Sequence, residues 1–126
     1  TRFMVTKEAP IHDNVKQKMI EATELDTALI YRSFRNTARV FKNSVAEKVV
    51  EIEARPGETK FEDIQPLVQG VKGRELFDGG DLDKGIWFAG MIVGLIDDNP
   101  SCEDLVARIV TEAEDILSNR LRETIS

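Results

Sequence analysis

From Ile86 to Ile96 the chain reads Ile-Trp-Phe-Ala-Gly-Met-Ile-Val-Gly-Leu-Ile, with no charge and no side-chain hydroxyl. In a chain that is 32% charged, such a run must be covered by the rest of the molecule or by a bound partner. It falls far below the roughly 20 apolar residues that cross a bilayer as a helix. The run holds the only Trp and, with the residue before it, three spaced glycines, Gly85, Gly90 and Gly94. Asp81 or Asp83 can cap it and Asp97-Asp98-Asn99-Pro100 can close it, so it is expected to be a central helix. The Gly90-x-x-x-Gly94 spacing lets another backbone come close. Tight helix packing accounts for it better than the approach of a ligand.

The remaining composition narrows the function classes. A length of 126 residues suits one domain with a real core. A net charge of −6 argues against nucleic acid as a partner, because that binding rests on a positive footprint. Lys16 and Lys18 read as one solvated helix face. The lone Cys102 excludes an intramolecular disulfide and offers no metal-ligand pattern, which suits a reducing compartment and a cytoplasmic setting. No basic segment followed by an apolar run marks a signal peptide, and no membrane partner is expected. The chain begins Thr1-Arg2-Phe3 without an initiator Met, so a fragment or a processed product is expected.

Read in order, Arg2–Thr6 alternates weakly and suggests the tail of a strand. Pro10 suits the first turn of a helix whose apolar stripe is Ile11, Val15, Met19 and Ala22, with His12 in a surface or capping role. Asp26–Tyr31 is the best strand candidate. Asn36 can cap a helix from Thr37, and the capping box Ser44-Val-Ala-Glu47 suggests a second helix, faced by Val45, Val49 and Ile52 and ended by Arg55-Pro56-Gly57. Thr59-Lys-Phe-Glu62 begins a short helix that Pro66 should bend or interrupt. Gly70 and Gly73 punctuate, leaving one helical turn at Arg74–Asp78. Ser101 begins a last helix with Leu105, Ile109, Ala113, Ile116 and Leu121 along one stripe and an Arg108–Glu112 pair outside it. The inventory is five or six helices and one or two short strands.

Ordinary catalytic patterns are missing. His12 and Cys102 have no triad around them. Asp78, Asp81 and Asp83 lack the downstream bidentate Glu of a calcium loop, so no metal site is expected. Gly79-Gly80 is not a dinucleotide fingerprint, since no strand precedes it and Gly-x-Gly-x-x-Gly is absent.

Several segments, taken together, resemble the C-terminal part of the nitronate monooxygenase (2-nitropropane dioxygenase-like) family, FMN-dependent enzymes related to flavin enoyl-acyl-carrier-protein reductases and flavin NADH:quinone reductases. Thr1-Arg2-Phe3 resembles the family's Gly-Thr-Arg-Phe at the end of the last barrel strand. Lys7-Glu8 and Pro10-Ile11-His12 resemble the next segment. Arg32-Ser-Phe-Arg-Asn-Thr-Ala-Arg39, followed by Lys42-Asn43, is the most distinctive match. Gly80-Asp-Leu-Asp83, Gly85, Ala89-Gly90 and Gly94-Leu-Ile96 resemble the segment that approaches the flavin. Where many relatives carry Ser-Ala-Gly-Gln, this chain has Phe88-Ala89-Gly90-Met91, which removes an amide able to hydrogen-bond flavin or substrate.

The family's TIM barrel needs about 250 residues, more than this chain has. The resemblance therefore implies a mainly helical fold with one or two short strands, forming the C-terminal segment of an FMN-binding TIM-barrel α/β enzyme. Residues 1–9 would end strand eight and leave a phosphate-loop remnant. Residues 10–100 would form a helical substrate domain inserted in the barrel, and residues 101–126 the closing barrel helix. It further implies Thr1 at the FMN phosphate, Ala89, Gly90 and Met91 on the wall of the substrate pocket, and no catalytic residue within this chain, since the family's His lies earlier. The expected function is that of the substrate-domain segment of an FMN-dependent oxidoreductase acting on alkyl nitronates or a related small molecule. A quinone or enoyl reductase segment, or a noncatalytic helical module, stands as the alternative. The expected partners are a small-molecule substrate and the rest of the barrel or another copy of the chain, with oligomerisation through an open apolar stripe.

Overall fold

The computed structural model describes residues 1–120 and is mostly helical, with two short strands. Helix α1 spans Asp13–Glu21. Strands β1 (Thr27–Ile30) and β2 (Ala38–Phe41) form an antiparallel pair with Thr27 opposite Phe41. Helices α2 (Ser44–Glu53), α3 (Phe61–Val68) and α4 (Gly70–Gly79) follow, and α5 (Cys102–Asp115) continues into a π-helical turn at Ile116–Arg120. Among the described residues no helix is long and apolar enough to cross a membrane.

Two apolar clusters make the core. One joins Val15, Met19 and Ala22 of α1 to Phe41, Leu76, Trp87, Val93 and Ile96; the other sets Ile30 and Val40 of the strands against Ala46 and Val49 of α2 and Ile64 of α3. The stripe expected on α1 is thus the face that packs inward. Lys16 departs from its solvated expectation. It is buried, with its ammonium donating to Lys7 O at 3.4 Å and lying 3.9 Å from Asp13.

The apolar run is not a helix. Residues 86–90 are extended, with Phe88 bridging to Val40 and Phe41 N donating to Trp87 O at 2.9 Å, and Met91–Leu95 form a 3-10 turn. A helix apolar on every side must be buried all round, which a domain this small cannot provide. Each glycine adds about 1 kcal/mol against helix. Extended and 3-10 backbone instead divides the run, burying Ile86, Trp87, Ala89, Val93 and Ile96 and leaving Phe88, Met91, Ile92 and Leu95 outside.

The caps also move. Helix α1 begins at Asp13, not Pro10, because His12 Nδ1 accepts from Asn14 N at 3.1 Å. No helix follows Asn36; β-favouring Val40 and Phe41 pair with β1 instead. Helix α2 is capped by Asn43 rather than Ser44. Asn43 Oδ1 accepts from Ala46 N at 2.9 Å, while Nδ2 donates to Leu82 O and Gly85 O at 2.7 and 2.8 Å. Asp83 caps nothing in the run. Its carboxylate accepts from Ser44 N and Oγ at 2.9 and 2.7 Å, which holds it below the usual carboxylate range.

Helix α3 carries Pro66 within it and ends only at Val68. Helix α4 absorbs both Gly70 and Gly73 and runs the full length Gly70–Gly79, more than the single turn expected. A Cβ on Gly73 would lie 3.0 Å from Ile86 O, and one on Gly85 would meet the Lys72 backbone at 2.9 Å. These glycines let α4 lie directly on the start of the run. Gly80 ends α4 at φ +74°, with the His12 ring filling the space a side chain there would need.

The first residues differ from the expected strand tail. Arg2–Met4 is a 3-10 turn, closed by Met4 N to Thr1 O at 3.1 Å and Val5 N to Arg2 O at 3.0 Å. Lys7 N donates to Pro100 O at 2.9 Å, and Glu8 accepts from Cys102 N at 3.0 Å, so this segment is stitched to the start of α5. The Cys102 amide bond also lowers the Glu8 pKa. Helix α5 has its expected N-cap, Ser101 Oγ accepting from Asp104 N at 3.1 Å. Arg108 does not pair with Glu112. It binds Asp98 at 2.6 Å, and Asp98 also pairs with Arg2. Of the stripe expected on the last helix, Leu105 is buried, Ile109, Ala113 and Ile116 are exposed, and Leu121 lies outside the described residues.

Candidate functional site

The residues singled out at the two ends of the sequence pattern meet in space. Thr1 Oγ1 accepts from Gly90 N at 2.8 Å, across almost the full span of the pattern. A Cβ on Gly90 would lie 3.3 Å from that hydroxyl, so glycine leaves room for the contact. Arg2 fixes the same turn from the other side by donating to Asp98 O at 3.2 Å and Val5 O at 3.1 Å.

Beyond Gly90 the 3-10 turn offers an apolar surface. Met91 is 52% exposed and Leu95 80%, with Phe88 between them and Ile92 slightly below Met91. Ala89 lies apart from the others assigned to the pocket wall. Its side chain is packed into the first core cluster, so only its backbone can reach a ligand on this face. Gly94 anchors the far end of the turn, since a Cβ there would meet Glu24 N at 2.6 Å. Glycine serves backbone packing here.

Phe88 also lines a cleft of about 390 Å³. Ile86, Trp87 and Phe88 form one wall, α4 supplies Gly73, Arg74 and Phe77, and Tyr31 closes another side. The sequence reading missed Tyr31 and Arg74 because neither lies in a recognisable motif. Tyr31 has φ +62°, unusual for a bulky residue. Glu53 holds it there, accepting from Tyr31 N at 2.9 Å and from Ser33 N and Oγ at 3.0 and 2.6 Å. Burial, and then the Glu53 charge, push the Tyr31 phenol up, so it stays a neutral donor. Trp87 stacks on Phe41 at 4.3 Å, and its buried indole N–H has no partner among the described residues.

No group of three or more His, Cys, Asp or Glu able to hold a metal ion occurs among the described residues. His12 is spent on its cap. Cys102 Sγ lies 3.5 Å from Thr6 Oγ1 in the capped turn of α5, away from the cleft. The arrangement can position and enclose a molecule, and it presents no nucleophile–base pair to one.

A family model described as nitronate monooxygenase matches residues 1–112. The fold is similar to that of FabK from Thermotoga maritima, with a TM-score of 0.84 at 24% identity over 98% of this chain and 38% of that one. A point mutant of the same FabK matches with a TM-score of 0.76, also at 24% identity, over 98% of this chain and 35% of that chain. The chain therefore spans well under half the length of the solved structures it is similar to.

Proposed function

The chain belongs to the nitronate monooxygenase family, and from that premise we propose that it is the C-terminal substrate-domain segment of an FMN-dependent oxidoreductase with a TIM-barrel core. The observation that carries this reading is the 2.8 Å hydrogen bond between Gly90 N and Thr1 Oγ1. It joins the turn assigned to the cofactor phosphate to the segment assigned to the flavin wall. On this reading residues 1–9 are the phosphate-loop remnant that follows the last barrel strand, residues 10–100 form the inserted domain, and the helix from Cys102 closes the barrel.

The residues present fit one side of a bound flavin. On this reading Thr1 would sit at the cofactor phosphate, since barrels hold phosphate in the loops after their last strands. Phe88, Met91 and Ile92 are exposed apolar side chains of the kind a flat apolar ring packs against. When bound, the flavin supplies the redox chemistry, accepting electrons from a donor and passing them on. This chain's part is to orient the substrate and exclude water. Met91, at the position where the resemblance gives many relatives an amide, would make that wall a dry contact without a hydrogen bond. The substrate class is then an alkyl nitronate or a related small molecule, held in the cytoplasm by a protein whose barrel lies upstream.

Two measurements test the reading. The open reading frame should encode barrel strands ahead of the Thr1 codon. The purified chain alone should not oxidise a nitronate or NADH with added FMN, and turnover by it would sink the segment reading. A noncatalytic helical module is the second reading. It is favoured by the exposed Val106, Ile109, Val110 and Leu117 on the last helix, a face that the missing barrel or a second copy of the chain would cover. Failure of the full-length protein to retain flavin would decide for the module.

A further inference from the structure

The cleft behind Phe88 has a composition that selects its ligand. Its volume of about 390 Å³ falls within the roughly 300–1,000 Å³ of sites that enclose drug-sized molecules. That is more room than a short alkyl nitronate fills. Ile11, Val68, Phe77, Ile86, Trp87 and Phe88 make most of the lining apolar or aromatic, and Arg74 is its one charged side chain. None of the ion pairs among the described residues involves Arg74, although acidic residues outnumber basic ones 23 to 17 in the chain. A guanidinium beside aromatic faces can hold a carboxylate or a similar planar anion.

Two further observations point to an occupant. The Trp87 indole N–H is buried without a partner among the described residues, in a residue that lines the cleft. Such orphaned donors are rare and ask for an acceptor. Tyr31, at positive φ, lines the cleft too, and its N–H and that of Ser33 both donate to the Glu53 carboxylate. Backbone strain of this kind costs about 1–3 kcal/mol and clusters at ligand sites.

From these residues we infer that the cleft binds a monoanion with an aryl or branched alkyl body, the body lying among Trp87, Phe88 and Phe77 and the anionic group at Arg74. As the substrate's site it rests on the flavin reading above, because Phe88 faces both the cleft and the wall. As an anion site it stands on the cleft alone.

Trp87 is the only Trp, so its fluorescence reports on the cleft directly. The whole chain, without FMN, is titrated with 4-phenylbutanoate, its neutral amide and 4-phenylbutylamine. The carboxylate should change Trp87 emission saturably and bind about tenfold or more tightly than the amide, as expected for a charge-assisted hydrogen bond. The amine should bind most weakly. Arg74→Gln, at an exposed position, should bring the carboxylate down to the affinity of the amide, and Arg74→Lys should fall between. Equal binding of carboxylate and amide, an unchanged preference in Arg74→Gln, or no response of Trp87 would each overturn the inference. A saturable anion site in a protein whose full-length form holds no flavin would refute the flavin reading and leave the cleft standing. Flavin retention with a silent cleft would do the reverse.

Discussion

The two halves of the apolar run share a composition and have opposite fates. Residues 86–90 are held by the bridge to Val40, by Phe41 N on Trp87 O, by α4 lying over Gly85, and by Thr1 at Gly90, with only the Phe88 side chain left outside. Residues 91–95 touch the core chiefly through Val93 and leave Met91, Ile92 and Leu95 outside. The contrast teaches that apolarity alone does not assign a segment to the core. What separates the halves is polar: backbone partners fix the first and the Asn43 side chain holds the residues that lead into it, while the second closes only upon itself and rests on Gly94.

The comparison can be broken first at Trp87. Trp87→Ala removes a fully buried ring stacked on Phe41 and should cost about 4 kcal/mol, read as a lower urea midpoint. A loss below about 1 kcal/mol would mean the first half is not core. Next comes Asn43→Ala, which deletes the α2 cap and leaves the Leu82 and Gly85 carbonyls unpaired. A cost of about 3 kcal/mol is expected, with greater hydrogen exchange at Ala46. Gly94→Val probes the one anchor of the second half, because its Cβ would run into Glu24 backbone. About 1–2 kcal/mol of destabilisation should follow; a neutral result would leave the 3-10 turn unanchored. Leu95→Ser, at 80% exposure, should change stability of the isolated chain by under about 0.5 kcal/mol and weaken any association with a barrel partner. The smallest effect is electrostatic. The Asp83 pKa is depressed in the folded chain by its bonds to Ser44. Its stabilisation is therefore present above the unfolded value near 3.8 and disappears as pH falls through the lower folded value. Ser44→Ala should flatten that part of an acid-unfolding curve.

Much of the helical pattern was legible because periodicity and breakers agree. Val15, Met19 and Ala22 give α1 its face, and Pro100-Ser101 opens α5 where the pattern places it. Local signals failed where a distant partner outbid them. Asn36 looks like a cap only if one ignores that Ala38–Phe41 has a strand to pair with. The Ser44 box is real chemistry, but its hydroxyl goes to Asp83 and leaves the cap to Asn43, one residue earlier. Lys16 reads as solvent-facing until Lys7 O comes within reach. At the candidate site, Thr1 and Gly90 were each singled out by the resemblance, and the structure joins them by a hydrogen bond that no local pattern announces. Nothing local marked Arg74 or Tyr31, since the cleft exists only once α4 lies on Gly85. An exposed arginine in a helix has the same local appearance whether it faces solvent or a cleft.

The stitching of the first residues to the nineties has a consequence for how such a domain can change. Thr1 meets Gly90, Arg2 meets Asp98, and Lys7 meets Pro100. The path therefore leaves and re-enters through one narrow neck. Whatever is exchanged between the ends of that neck is a cassette, whose closure is set by the neck and rises only slowly with the length of the cassette. The helices between could then be replaced wholesale while the segments on either side keep the same two attachment points.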